Sequence, residues 1–150
     1  MNLNKNFFEN DTTGRILGKA LSENQSVEEL HLSWNHLGSK ACGYILKSLD
    51  SNTHLTTLDL SWNGAGLFTA KIIGDLLKKN IRLEKLYLDN NRFNTECATH
   101  IGRGLLKNET LKLLTLSGNP LESSGCYAIL CPLIKNPTSK LQEDDLSGII

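Results

Sequence analysis

A repeat of 28 residues organises this chain and limits what it can fold into. Cut from Ser26, successive segments open SVEELHLSWNHL, HLTTLDLSWNGA, RLEKLYLDNNRF and TLKLLTLSGNPL. The second position holds Val27, Leu55, Leu83 and Leu111. The fifth holds Leu30, Leu58, Leu86 and Leu114, and the seventh Leu32, Leu60, Leu88 and Leu116. The tenth is always Asn: Asn35, Asn63, Asn91, Asn119. In the second half of each unit the period changes. Cys42, Ala70, Ala98 and Cys126 recur at position 17, Ile45, Ile73, Ile101 and Ile129 at position 20, and Leu49, Leu77, Leu105 and Leu133 at position 24. Spacings of three and four residues put these side chains on one helix face. Asn52, Asn80, Asn108 and Asn136 follow at position 27, where Asn is expected to take the left-handed conformation that ends a helix. Each unit therefore reads as a short strand, a loop, a helix and a return.

The pattern LxxLxLxxNxL, carried by LEKLYLDNNRF, resembles the leucine-rich repeats of the ribonuclease-inhibitor-like subfamily, whose units run about 28 to 29 residues. LDLSWN and LHLSWNHL look closest to small leucine-rich-repeat proteins without a catalytic domain. The resemblance spans about residues 14–146. It implies an α/β solenoid, a horseshoe arc with parallel strands on the concave face and helices on the convex face. The physics agrees: one unit cannot bury both its strand leucines and its helix face, and stacking joins them into a continuous core. The Asn at position 10 sits where the strand has ended, so its amide is expected to bond loop backbone groups in a buried ladder.

The chain reads as one domain, 1–150, with a partial repeat at 1–25, repeats at 26–53, 54–81, 82–109 and 110–139, and a partial repeat at 140–150. Leu17, Leu21 and Asn24 match positions 20, 24 and 27 of a preceding unit. Its strand would fall near residues 1–5, MNLNK, which lack the leucines, so the chain is expected to begin on a helix. At the other end, a two-residue insertion at Pro137–Ser139 restores Leu141 at position 2 and Leu146 at position 7. It leaves Asp144 at position 5 and Ile149 at the Asn position. A charge facing a core is costly, so a frayed last strand is expected. The irregular ends read as a fragment or isoform of a longer array.

Positions 3, 4, 6 and 8 of each strand are expected to face outward. They are Glu28, Glu29, His31 and Ser33; Thr56, Thr57, Asp59 and Ser61; Glu84, Lys85, Tyr87 and Asp89; Lys112, Leu113, Thr115 and Ser117. Five acids against two bases give this face a balance of −3, whereas the helix side carries ten bases and six acids. A chain with 16 bases and 16 acids is thus polarised, acidic inside the curve and basic outside. A concave site for a basic protein surface follows, against ordinary solvated surface. Trp34 and Trp62 share position 9 of adjacent units, either as an aromatic shelf for a partner or as a cover over the Asn column. The candidate protein-binding residues are Glu28, Glu29, His31, Trp34, Asp59, Trp62, Glu84, Tyr87 and Asp89, with Asn35, Asn63, Asn91 and Asn119 as the structural ladder.

Catalysis is not expected. His31 beside Asp59 has no nucleophile with an orienting third group, and an open curve does not exclude water. There is no GxxxxGK[ST] or GxGxxG for a nucleotide. Cys42, Cys97, Cys126 and Cys131 form no CxxC pair and read as reduced core thiols of a cytoplasmic protein. Neither cofactor nor metal is implied, the balanced charge argues against nucleic acid or an anionic membrane as partner, and no membrane or small-molecule substrate is expected. The resulting expectation is a non-enzymatic scaffold that binds a protein. The alternatives are a regulator of a small GTPase, by fold analogy with Ran-type activators, and a piece of a larger leucine-rich-repeat sensor.

Overall fold

The computed structural model describes the backbone of residues 1–145, with side chains up to Gln142. Helices and strands alternate along the chain: α1 (Asp11–Glu23), β1 (Glu29–His31), α2 (Gly38–Ser48), β2 (Thr57–Asp59), α3 (Leu67–Leu77), β3 (Lys85–Tyr87), α4 (Thr95–Leu105), β4 (Leu113–Thr115), α5 (Glu122–Lys135) and β5 (Glu143–Asp145). The strands form one parallel sheet in the order β1-β2-β3-β4-β5. The register sets Leu30, Leu58, Leu86 and Leu114 side by side, and all four are buried. These three-residue strands pair because each is one rung of a stack, with the position-7 leucines and the helix-face isoleucines closing the core behind them.

Adjacent helices approach backbone to backbone. A Cβ at Gly74 would collide with the carbonyl of His100, and one at Gly102 with that of Ala128. Glycine there lets the backbone of the next helix come into direct contact.

Three expectations change. The chain does not begin on a helix. Asn2 bridges to His31 in parallel, Leu3 N–H donates to His31 O at 2.8 Å, and Lys5 N–H donates to Ser33 O at 2.9 Å. Asn6 N–H donates to Asn35 Oδ1 at 2.8 Å, and Asn35 Nδ2 returns to Leu3 O at 2.8 Å. MNLNKN thus supplies a β-bridge and a ladder position offset by 29 residues rather than 28, which concealed it.

The Asn column at position 27 is not left-handed either. Asn24 has φ −81° and ψ 132°, and Asn136 has φ −107° and ψ 91°. The side chains explain the column instead. Asn52 Oδ1 accepts from His54 N and Leu55 N, while its Nδ2 donates to Leu21 O, at the end of the preceding helix, at 2.7 Å. Asn108 repeats this with Thr110 N, Leu111 N and Leu77 O. It is a second ladder, on the helix-to-strand side.

The last pair, Leu114 with Asp144, is offset by 30 residues, and the backbone of β5, expected to fray, is paired with β4. The side chain of Asp144, and Leu146 and Ile149, lie outside the described residues.

Candidate functional site: the concave face and its aromatic rim

The ladder behind the strands fixes the rim. Asn63 N–H donates to Asn91 Oδ1, and Asn91 N–H to Asn119 Oδ1, each at 3.1 Å. Each Nδ2 reaches back to the position-7 carbonyl of the unit before, as Asn63 does to Leu32 O at 2.8 Å. Among the described residues no buried side-chain nitrogen or oxygen lacks a partner.

Position 6 runs across the concave face as His31, Asp59, Tyr87 and Thr115 in strict register. Tyr87 is half-buried at its centre. His31 lies between two carboxylates: Nε2 is 3.9 Å from Glu29 Oε2, and Nδ1 is 3.9 Å from Asp59 Oδ2. Glu28 and Glu29 are exposed.

Several residues of this face are less available than their spacing suggests. Thr57, Ser61 and Thr115 are buried, because neighbours in a column stand only about 4.8 Å apart and cover small side chains. Asp59 Oδ1 accepts from Ser61 N at 2.9 Å. Asp89 accepts from Ser117 N at 2.8 Å and from Thr115 Oγ1 at 2.7 Å. Both aspartates therefore hold strand ends in place. Glu84 is bonded to Lys112 Nζ at 2.8 Å, which lowers its pKa from the ordinary carboxylate value. The carboxylates exposed to solvent are Glu28 and Glu29, at the N-terminal end of the face, with Glu29 beside His31.

The aromatic rim lies one residue beyond. Trp34 and Trp62 stack with ring centroids 4.0 Å apart and planes 13° from parallel. They are 42% and 41% exposed. Their φ angles are +60° and +58°, the left-handed region, where a bulky side chain costs about 1–3 kcal/mol. The same place in the next two units holds Asn90, at φ +53°, and Gly118, at φ +66°. Backbone bonds impose the conformation: Trp34 N–H donates to Ser61 O and Trp62 N–H to Asp89 O. Next to this pair, the exposed Phe7 stacks on His36, centroids 6.1 Å apart. Lys5, Phe7, Trp34 and His36 line an open cavity of about 350 Å³. Position 9 marked Trp34 and Trp62 in the sequence. Phe7 and His36 carry no repeat signal and come together only through the pairing of the N-terminal segment with β1 and the loop after it.

Behind the sheet, burial pushes the Cys42 thiol up to about 12 and also raises Cys97. All four cysteines are free. Among the described residues no cluster of three His, Cys, Asp or Glu is placed to hold a metal, and no helix is long and apolar enough to cross a membrane.

A family model described as Leucine Rich repeat matches residues 23–45, 51–64 and 107–130, and a second, described as Leucine Rich Repeat, matches residues 82–103. No curated protein matches the chain. Among solved structures, "Leiomodin-1 Actin-Binding Site 2 (ABS2)" is similar at TM-score 0.77 and 20% identity, over 87% of this chain and 77% of that one. A Caenorhabditis elegans tropomodulin C-terminal domain is similar at TM-score 0.76 and 12% identity, over 89% and 82%. At these identities the likeness shows a shared fold. The repeat, its stacked parallel strands and the two matching models together show that the chain belongs to the leucine-rich-repeat family.

Proposed function

We propose that this protein is a non-enzymatic binding module whose concave strand face takes a partner protein with a basic surface. The observation that carries the reading is the position-6 row, where Tyr87 stands in register with Asp59 and His31 on an open sheet. Glu28 and Glu29 extend it with carboxylates exposed to solvent. An aromatic anchor on a row that leads to solvent-exposed carboxylates is the composition of a binding hot spot with electrostatic steering. The leiomodin domain of similar fold is named for an actin-binding site, which supports a protein as the class of partner.

The test is a kinetic binding series on a partner captured from the source cell. Tyr87→Ala should raise the off-rate roughly tenfold, and Glu28→Gln/Glu29→Gln should lower the on-rate most at low salt. Asp59 and Asp89 are unsuitable for this purpose, because they cap backbone N–H groups. The convex change Lys78→Ala/Lys79→Ala should leave both rates unaltered. If the convex pair weakens binding and the concave variants do not, the partner sits on the helices and the proposal fails.

A further inference from the structure

We propose that the aromatic rim is a second, separate site, which binds a proline-rich peptide segment flanked by acidic residues. The argument starts from strain. Asn90 and Gly118 occupy the left-handed position comfortably in two units, so the fold does not need tryptophan there. Two neighbouring units nonetheless carry Trp34 and Trp62, stacked on each other and both open to solvent. Strained and exposed aromatic side chains that the scaffold can do without point to a ligand.

The shape and charge select that ligand. Trp34, Phe7 and His36 line an open cavity with aromatic walls. Such a surface suits a polyproline segment, whose rings pack flat on aromatic side chains and whose extended helix loses little entropy on binding. Cations stand at both ends of the rim. Lys5 lines the cavity, and Arg92 Nε lies 3.8 Å from where a Cβ of Gly64 would be, two residues beyond Trp62. They complement acidic residues on either side of a proline run. A stacking platform with cations also resembles a single-stranded nucleic-acid site. Lys5 is the one Lys or Arg among the described residues that line the cavity, so the phosphates of a strand lying along it would go largely unpaired, whereas a proline run carries no charge there.

Trp34 and Trp62 are the only tryptophans of the chain, so their fluorescence reads this rim directly. The probe is a synthetic proline-run peptide with Asp and Glu at both ends, titrated into the full chain. A saturable emission change in the micromolar range is expected, roughly tenfold weaker when the flanks are Lys. Trp34→Asn and Trp62→Asn imitate Asn90 and each keep one reporter. Both should hold the parent melting temperature and weaken binding roughly tenfold, and Phe7→Ala should weaken it severalfold without touching the strained backbone. Tyr87→Ala should bind the peptide as the parent does, which separates this site from the concave one. The inference is overturned if the acidic peptide does not saturate, if oligodeoxythymidylate binds more tightly than the peptide, or if the rim variants bind like the parent.

Discussion

The side-chain carbonyl of Asn63 accepts the backbone N–H of Asn35 at 3.1 Å, while the backbone N–H of Asn63 donates to Asn91 Oδ1 at the same distance. Each Asn is thus both a rung and a rail of one buried ladder.

Asn63→Ala removes the acceptor for Asn35 N–H and Leu37 N–H and the donor to Leu32 O. Each buried group left unpaired costs about 1–3 kcal/mol. The variant should melt at least about 5 °C below the parent, whereas Lys71→Ala, on the exposed side of α3, should stay within about 2 °C. Thr57, which its spacing marks as an exposed control, cannot serve because it is buried. Equal melting temperatures for Asn63→Ala and Lys71→Ala would remove the ladder from the account of stability.

Gly74→Ala sets local propensity against packing. Alanine is favoured over glycine within a helix by about 1 kcal/mol. A Cβ at Gly74 would overlap the His100 carbonyl of the neighbouring helix, and backbone gives way poorly. The variant should therefore be destabilised, by about 1–3 kcal/mol in urea unfolding. A more stable variant would show that α3 and α4 do not pack this closely.

Cys42 should be the least reactive of the thiols. With its pKa raised to about 12 by burial, almost none is thiolate at neutral pH. Iodoacetamide labelling read by mass spectrometry should modify Cys126 and Cys131, which are partly exposed, well before Cys42. The linkage has a definite sign. The folded thiol has the higher pKa, so its contribution to stability is intact below the unfolded value near 9.0 and is lost as pH rises toward 12. Early labelling of Cys42 at neutral pH, with the fold intact, would contradict its burial.

The repeat by itself makes most of the architecture legible. A period of 28 residues places Leu30, Leu58, Leu86 and Leu114 in one column, and neighbouring units must share a core to bury it. The pairing of residues 1–6 with β1 escaped because its offset is 29 and its column residues are Leu3 and Asn6 alone. The second Asn column was visible as a column, but its reason was not. The end of a helix admits either a left-handed backbone or a side chain that bonds the next turn, and the carbonyl of Leu21 that receives Asn52 lies 31 residues away.

The site divides along the same line. Periodicity by itself determined which residues stand on the strands, so Tyr87, Asp59 and His31 could be placed on one row. Only the stacking of units decided what each side chain is free to do. Columns about 4.8 Å apart bury Thr57 and Thr115, draw Asp89 onto Ser117 N–H and Glu84 onto Lys112, and leave Glu28 and Glu29 exposed. The left-handed backbone at position 9 was likewise a tertiary decision. Hydrogen bonds to the next unit hold Trp34 and Trp62 there, and the short distance between units turns two separate residues into one stacked pair.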